Sequence, residues 1–496
     1  MNSSALGIVA AGHPLTAEAG ARVLHEGGNA VDAAVAAMLT SWVAEPLLSG
    51  PGAGGYMLVA EPGHEPVLLD FFVAAPGYGF RPEDRASLVP VEVDFGGDAR
   101  QVFHVGAASC GVYGTPAGID AAMRRWGSCD LKYLAAPAAA LARDGVVVNK
   151  QQAEVIHLLE AILRTTPECE AIYAPAKDLL DIDGMWRDTD LGDLIERLGA
   201  EGAEPFYSGE IGHAVVDWIA DRGGALTAED LCRYHPIERT PLRVSYRGRD
   251  VYTNPPPSAG GILLALALGR LDVAPSPPSL PSIVTAMEEA QEERTPEFVE
   301  GLTEEDFAAR FLGSRLGSTT HISVLDGNGC AVSVTCTNGE GSGIVVPGTG
   351  MQLNNIMGEE DLSPLGFHHA PPGRRMPSMM SPTVVSAADG KIEVALGSSG
   401  SNRIRSALLQ TIVGVVDHGL PPLAALAEPR VHFESGVIYT EPGIPLDELR
   451  CDPHEIQAFR AKSMFFGGVQ IVGCDPQTGE LSGAGDPRRG GVAVSA

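Results

Sequence analysis

Residues 274–318 divide the chain, and this division constrains the fold more than any other feature of the sequence. The stretch opens with Pro-Ser-Pro-Pro and is dense in acidic residues between Glu288 and Glu305. This composition is typical of a mobile, solvated linker, here with a helical piece inside it. We therefore expect a large segment, residues 1–318, and a small segment, residues 319–496.

The small segment begins with a strand pattern. Apolar and polar residues alternate over His321–Leu325 and over Ala331–Thr337, on both sides of the turn sequence Asp-Gly-Asn-Gly at 326–329. A further strand at Lys391–Leu396 leads through a loop of small residues to a helix at Ile404–His418. The segment is therefore expected to contribute a hairpin and a strand–loop–helix unit.

The large segment mixes helical and strand patterns, with a helical break at 26–29 and a glycine-rich loop at 47–55. The predicted elements are a helical region at Ala17–Trp42, a strand at Tyr56–Ala60, a helix at Leu131–Asp144, strand pairs at Pro236–Tyr252 and a helix at Ile262–Leu271. A chain of 496 residues exceeds what one simple core usually serves, so two cooperating halves or one large layered domain are expected.

The charge balance argues against polyanionic partners. Lys plus Arg is 34 and Asp plus Glu is 63, which gives a net charge of −29. A protein that binds a nucleic-acid backbone or an anionic membrane needs a positive surface. We therefore expect neither nucleic acid nor a membrane as a partner.

The N-terminal residues show no targeting pattern. Met1–His13 has no basic stretch followed by an apolar one, and the apolar run Ala30–Val43 is too short to span a bilayer and contains Asp32. We therefore expect a cytoplasmic location. The eight cysteines lack the spacing of a zinc or redox site and are expected to be free thiols.

The sequence Ser318-Thr319-Thr320-His321 opens the first strand after the linker. A threonine hydroxyl is a weak nucleophile, but a free α-amine on the same residue can activate it as a base. Cleavage of the bond between Ser318 and Thr319 would create that amine. Taken alone the motif is a weak signal, because threonine is common at strand starts.

The motifs around Thr319 resemble those of the γ-glutamyltranspeptidase family of N-terminal-nucleophile hydrolases, in the family's order and over nearly the whole chain. The matching segments are Gly28–Ala37, Glu45-Pro46, Ser49–Met57, Pro255–Gly261, Thr319–Val324, Pro347–Gly350, Leu353–Asn355, Ser381–Thr383 and Asp486–Arg489. The resemblance implies an α+β fold, the four-layer αββα sandwich, and no metal or organic cofactor. It also implies a mature heterodimer of the chain's own two fragments.

The resemblance further implies roles for matching residues. Thr319 is the implied nucleophile and, through its α-amine, the general base. Thr337 is the implied orienting residue for that nucleophile. Gly400 and Ser401 fall where the family's backbone N–H groups stabilise the oxyanion, and one such donor lowers a barrier by roughly 3 kcal/mol.

The implied pocket departs from the family at its head-group end. Phe72 stands where the family has an arginine that grips the γ-glutamyl carboxylate, and a phenyl ring cannot make that bidentate contact. Glu359 and Ser378 match family positions near the substrate, and Asn338 is a candidate for another. Met379 replaces the family's second serine. Four arginines near these motifs are expected to be ion pairs or surface charges: Arg374, Arg375, Arg403 and Arg405.

Three functions remain open. The first is hydrolysis or transfer of γ-glutamyl-type amides through an acyl-enzyme, with water or an amine as acceptor. The second is cleavage of a different acyl group, another amide or a C–C bond, in a biosynthetic pathway, which Phe72 and Met379 favour. The third is a non-catalytic binding or scaffold protein, which the retained Thr319 and Thr337 oppose.

Overall fold

The computed structural model describes residues 6–94, 100–293, 319–363, 366–449 and 454–496. Its strands are β1 (Gly7–Ala11), β2 (Gly54–Ala60), β3 (Val67–Phe71), β4 (Val89–Asp94), β5 (Arg100–Val105), β6 (Val146–Val147), β7 (Met185–Trp186), β8 (Ile237–Arg239), β9 (Leu242–Tyr246), β10 (Arg249–Thr253), β11 (Thr320–Asp326), β12 (Ala331–Thr337), β13 (Val345–Val346), β14 (Met351–Gln352), β15 (Thr383–Ser386), β16 (Ile392–Ser399), β17 (Val431–Glu434), β18 (Val437–Thr440), β19 (Glu455–Ala458), β20 (Gly468–Cys474), β21 (Leu481–Gly485) and β22 (Val492–Ser495).

Helices cover much of the large segment. They are α1 (Pro14–His25), α2 (Ala30–Ala44), α3 (Thr115–Trp126), α4 (Leu131–Asp144), α5 (Lys150–Leu158), α6 (Glu160–Leu163), α7 (Pro167–Tyr173), α8 (Thr189–Glu201), α9 (Glu204–Tyr207), α10 (Glu210–Ala220), α11 (Ala228–Arg233), α12 (Ala259–Asp272), α13 (Leu280–Glu292), α14 (Arg403–Val416), α15 (Pro422–Ala427) and α16 (Leu446–Leu449). Within the described ranges, no helix has both the length and the apolar character needed to cross a bilayer.

Two larger sheets organise the described chain. One has seven strands in the order β22–β1–β11–β12–β2–β3–β8, and the other has six in the order β21–β20–β16–β15–β10–β9. Strands from both segments are hydrogen-bonded neighbours in each sheet. In the larger sheet β11 pairs with β1 and β12 pairs with β2, and in the smaller sheet β15 pairs with β10. Neither of these two larger sheets is therefore formed by one segment alone.

Buried side chains form an apolar layer on each side of both sheets. The face of the larger sheet that carries Met57 and Val334 packs on helices such as α2. Its opposite face, which carries Tyr56, packs against the smaller sheet through Val384 and Val472. The outer face of the smaller sheet packs on α12, α13 and α14. Because successive side chains of a strand point to opposite faces of the sheet, the same strands contribute apolar residues to both layers.

The helical break predicted at 26–29 separates α1 from α2. The side chain of Asn29 accepts hydrogen bonds from the backbone N–H groups of Val31 and Asp32, and the Asp32 side chain bonds back to the Asn29 N–H. This capping box starts α2 and satisfies N–H groups that a helix leaves free. All of α2 is buried, as expected of a helix that is apolar on every side.

Most predicted elements are confirmed. The hairpin of β11 and β12, the strand β16 and the helices α4, α12 and α14 lie where the sequence places them. Within 274–318 the expected helical piece is α13, whose apolar face, with Val284, Met287 and Ala290, packs against the second sheet's helices. Residues 294–318 lie outside the described ranges.

Candidate active site

Thr319 lies directly before β11 and is completely buried. Among the residues that the structure describes, none hydrogen-bonds to its Oγ1 atom, which is itself buried. Buried hydroxyls in folded proteins are nearly always paired, so an unpaired one marks a place where a reacting or binding group is needed. Ser318, on the other side of the predicted cleavage bond, lies outside the described ranges.

Thr337 ends the strand next to Thr319. Strands β11 and β12 are antiparallel with Thr320 opposite Cys336, so the same register puts Thr319 opposite Thr337. Directly opposite residues in such a pair are close neighbours. The Thr337 hydroxyl also accepts a 2.8 Å hydrogen bond from the backbone N–H of Gly339. The structure brings the two threonines together, and the orienting role of Thr337 stays a prediction.

Gly400 and Ser401 form the connection between β16 and α14. Both residues have a positive φ, 117° for Gly400 and 62° for Ser401. Turns of this kind can direct successive backbone N–H groups toward an anion. A Cβ on Gly400 would lie 2.6 Å from Cα of Gly467, so this position requires glycine.

The two sheets pack so that this turn and Thr319 lie at the same end. The imidazole of His321, on β11, occupies the space beside Gly397, on β16, where a side chain would overlap the ring. Residue 319 precedes this contact on one strand, and residue 400 follows it on the other. The implied oxyanion donors therefore lie near the start of β11. Their role in stabilising an oxyanion stays a prediction.

His321 is held as a neutral, fully paired side chain. Its Nδ1 lies 2.8 Å from the Thr335 hydroxyl and its Nε2 lies 2.9 Å from the Ser323 hydroxyl. Burial lowers the pKa of His321 to about 3. Both ring nitrogens of this histidine are therefore engaged, so neither is available to accept a proton from Thr319.

Glu45 is a neighbour of the nucleophile that sequence reasoning did not single out as a site residue. Its Oε1 accepts a 2.8 Å hydrogen bond from the Thr320 hydroxyl, and its Oε2 accepts a 3.0 Å bond from the Thr16 hydroxyl. Burial raises the pKa of Glu45 to about 7, against the smaller opposite effect of the two hydroxyls. In the sequence, the signal for Glu45 was a carboxylate directly after the apolar segment that forms α2.

Asn338 and Glu359 come together beside Thr337. Asn338 is completely buried, and neither side-chain atom has a hydrogen-bond partner among the described residues. A side chain on Gly339 would overlap the carboxylate of Glu359, which brings that acidic group next to Asn338. The structure therefore groups two of the predicted substrate-binding residues with Thr337.

Ser378 and Met379 anchor the backbone at the start of α12. The Ser378 carbonyl accepts a 2.7 Å bond from the N–H of Ala259, and its hydroxyl accepts one from the N–H of Met380. The Met379 side chain is buried in the core of α12 and the second sheet, and its contact with a substrate stays a prediction. The serine-to-methionine change therefore fills a core.

Phe72 is completely buried between the sheets and stacks on Tyr56 with 5.5 Å between ring centroids. The nearby positively charged side chain is Arg375. Its Nε lies 3.3 Å from Oδ1 of the buried Asp70, and its guanidinium lies over the ring of Tyr234. The ring of Phe72 is thus a packed core group that offers a substrate no polar contact.

The expectation for the four arginines is confirmed for three of them. Arg374 is exposed, Arg375 is paired with Asp70, and Arg405 is paired with Glu434 at 3.0 Å. Arg403 is buried, donates from Nε to the carbonyl of Phe465 and lies over that ring.

Metal-binding and thiol groups are sparse in the described ranges. No group of three or more His, Cys, Asp or Glu side chains there is arranged to hold a metal ion. The seven described cysteines are free, as expected.

Comparison with known proteins identifies the family. The family model for gamma-glutamyltranspeptidase matches residues 16–496. The glutathione hydrolase proenzyme of Bacillus subtilis (strain 168) is 30% identical over 542 residues, covering 98% of this chain and 91% of that protein. The acylase ACY 1 proenzyme of Pseudomonas sp. (strain V22) is 30% identical over 527 residues, covering 99% and 93%.

A solved structure extends the likeness to the fold. The crystal structure of cephalosporin acylase from Bacillus halodurans superimposes with a TM-score of 0.85 at 27% identity, covering 99% of this chain and 96% of that one. The match runs through both segments. This chain belongs to the gamma-glutamyltranspeptidase family.

Proposed function

We propose that this chain is a self-processing amide hydrolase or acyltransferase whose nucleophile is Thr319. The observation that carries the proposal is the buried hydroxyl of Thr319, which has no hydrogen-bond partner among the described residues and lies just before β11, opposite Thr337. Membership of a family of hydrolases and transferases supports the reaction type.

The first step is self-cleavage. The Thr319 hydroxyl attacks the carbonyl carbon of residue 318, the C–N bond breaks as the amine takes up a proton, and an ester remains. Water then hydrolyses the ester and leaves a carboxylate on the large fragment and a free Thr319 with its α-amine. The products are fragments 1–318 and 319–496, which remain together as a heterodimer.

Turnover then uses the new α-amine as the base. Thr319 Oγ1 attacks the acyl carbon of the substrate while the amine takes its proton, and the proton passes to the leaving amine as the C–N bond breaks. The N–H groups of Gly400 and Ser401 stabilise the oxyanion. Water or an amine resolves the acyl-enzyme. His321 is unsuited to be the base, because both of its ring nitrogens are engaged.

Amides of the γ-glutamyl type are the first candidate substrates, as the family and the glutathione hydrolase relative suggest. Another acyl group is the second candidate. Phe72 favours it, because this ring is packed against Tyr56 at the position where the family has its carboxylate-binding arginine. The acylase relatives support the same choice.

One further point belongs to this proposal. The helix and sheet layers of the fold form the four-layer αββα sandwich of N-terminal-nucleophile hydrolases, supported by the apolar layers on both faces of each sheet.

Denaturing electrophoresis after long incubation tests the nucleophile. We expect the wild-type chain to give two fragments that meet at residues 318 and 319, and Thr319→Ala to stay whole. Thr319→Ser keeps a hydroxyl and should still be cleaved, and Thr478→Ala, at an exposed turn, should be cleaved like the wild type. A wild-type chain that stays whole contradicts self-processing and favours a scaffold protein.

A γ-glutamyl anilide and a simple fatty-acyl anilide separate the two substrate candidates. Faster release of the aniline from the γ-glutamyl compound supports the first candidate, and faster release from the fatty-acyl compound supports the second. Thr319→Ala should abolish both reactions. Turnover by that variant would contradict the assigned nucleophile.

A further inference from the structure

A small cavity of about 60 Å³ lies beside the start of β11. Its walls are mainly apolar and include Leu47, Leu48, Val148, Ile156, Trp186 and Met464. Two charged side chains, Glu45 and Arg489, also line it. None of the residues assigned to substrate binding by family resemblance lines this cavity, and the proposed function leaves it without an assigned role.

The cavity is adjacent to the reacting groups at two points. Glu45 binds the hydroxyl of Thr320, the residue that follows the nucleophile. Arg489 lies next to the oxyanion turn, because a Cβ built on Gly400 would be 3.5 Å from Nη2 of Arg489. The cavity therefore borders both the residue that follows the nucleophile and the oxyanion turn.

The guanidinium of Arg489 is held in place with donors to spare. Its Nη2 donates to the carbonyl of Met464 at 3.2 Å, and its aliphatic part packs against Gly468. Its buried Nε has no hydrogen-bond acceptor among the described residues. A partly buried cation with an unused, buried N–H attracts an anionic acceptor, because an unpaired charged donor is costly to bury.

The neighbouring residue fixes the backbone from which Arg489 extends. Arg488 forms buried ion pairs with Glu441 and with Asp486 at 3.2 Å, and Asp486 also pairs with Arg430 at 2.6 Å. The charge of Arg488 is therefore neutralised by buried carboxylates, whereas Arg489 lines the cavity.

Three carboxylates oppose an anion near Arg489: Glu45 in the cavity lining, and Glu340 and Asp486 through their charge. Both oxygens of Glu45 already accept hydroxyl hydrogen bonds, and burial raises the pKa of Glu45 to about 7, so part of the population is neutral near that pH. Asp486 is already paired with Arg430 and Arg488.

We propose that Arg489 binds a carboxylate carried by the substrate, and that the apolar walls of this cavity hold the part of the substrate that carries it. The proposal rests on the proposed function, since it assigns this cavity to the substrate of Thr319. It places the cation that recognises the substrate on the C-terminal segment, at a position far along the chain from Phe72.

Titration calorimetry with hexanoate and with its neutral analogue hexanamide tests this assignment on the purified full chain. We expect the wild type to bind hexanoate at least about tenfold more tightly than hexanamide, as one charge-assisted contact provides. Arg489→Gln should remove this preference, and Arg489→Lys should restore part of it. Arg374→Gln, the same change at an exposed arginine, should bind like the wild type.

Three results would overturn the proposal: no binding of hexanoate, equal binding of the two probes by the wild type, or unchanged hexanoate affinity in an Arg489→Gln chain that circular dichroism shows to be folded. The titration needs neither cleavage nor turnover. A chain that binds hexanoate through Arg489 but stays whole contradicts only the proposed function. A chain that cleaves itself but does not distinguish the probes contradicts only the role of Arg489.

Discussion

The hydroxyl of Thr320 donates a 2.8 Å hydrogen bond to Oε1 of Glu45, a residue 275 positions earlier in the chain. This bond ties the end of α2 to the first strand after the predicted cleavage point. The pKa of Glu45 is raised from 4.5 to about 7 by burial, so the folded state holds this proton more tightly than the unfolded state. The bond therefore links folding to pH.

The first prediction concerns Glu45→Gln. The stability that the protonated Glu45 provides is fully present below pH 4.5 and is lost as pH rises through about 7. Between those limits the free energy of unfolding of the wild type should fall by about 3 kcal/mol relative to Glu45→Gln, since one pKa unit corresponds to about 1.4 kcal/mol.

Denaturant titrations of both proteins across that pH range measure the difference. Glu18→Gln, at an exposed position, should run parallel to the wild type. Parallel curves for Glu45→Gln and the wild type would show that the pKa of Glu45 is the same in the folded and unfolded states.

The second prediction concerns Thr337→Val. The change keeps the shape of the side chain but leaves the N–H of Gly339 without its 2.8 Å acceptor, a loss of about 1–3 kcal/mol for a buried group. We expect kcat for anilide hydrolysis to fall at least about tenfold with little change in KM, because the turn beside Thr319 loses its anchor. Thr337→Ser should recover most of the rate, and a full rate in Thr337→Val would exclude the orienting role.

The third prediction concerns Phe72→Arg. Because Phe72 is completely buried against Tyr56, a guanidinium there would be desolvated, and the nearby Asp70 is already paired with Arg239 and Arg375. We expect a loss of about 3–5 kcal/mol in the free energy of unfolding. Restoring the family's arginine alone should therefore not restore γ-glutamyl turnover.

Thermal unfolding checks this expectation beside two other variants. Phe72→Leu should be much milder, and Val273→Arg, at a residue that is 87% exposed, should be neutral. A stable Phe72→Arg protein with faster γ-glutamyl turnover would show that the pocket rearranges to accept the charge.

The fourth prediction compares the two residues of the oxyanion turn. Gly400→Ala adds a methyl group 2.6 Å from Cα of Gly467 at a φ of 117°, so the turn must move and both activity and self-cleavage should be lost. Ser401→Gly suits a φ of 62° at least as well as serine and keeps the backbone N–H, so it should retain near-wild-type kcat. Equal rates in the two variants would remove the turn from the mechanism.

Local patterns predicted the elements well. The helix at Leu131–Asp144 has the predicted ends, because Asp130 caps its start and Gly145 follows its end. The hairpin of β11 and β12 also follows from alternation and a turn sequence with two glycines. These signals act over a few residues, and the sequence displays them directly.

Long-range relationships were not predictable in the same way. The bond between Glu45 and Thr320 joins positions that no local pattern connects. Met379 aligned with a substrate position, but alignment does not fix which face of the backbone its side chain takes, and that side chain entered the core. Arg489 was visible only as part of a motif, because its unused donor depends on a cavity formed by distant residues.

The strand order makes unfolding harder to reverse after the proposed cleavage than before it. Residues 319–496 supply β11 and β12, which lie between β1 and β2 of the other piece, so each fragment alone leaves sheet edges unpaired. Before cleavage, folding is a first-order process within one chain. Afterwards, recovery from denaturation becomes a second-order encounter between two incomplete polypeptides, and its yield should depend on protein concentration.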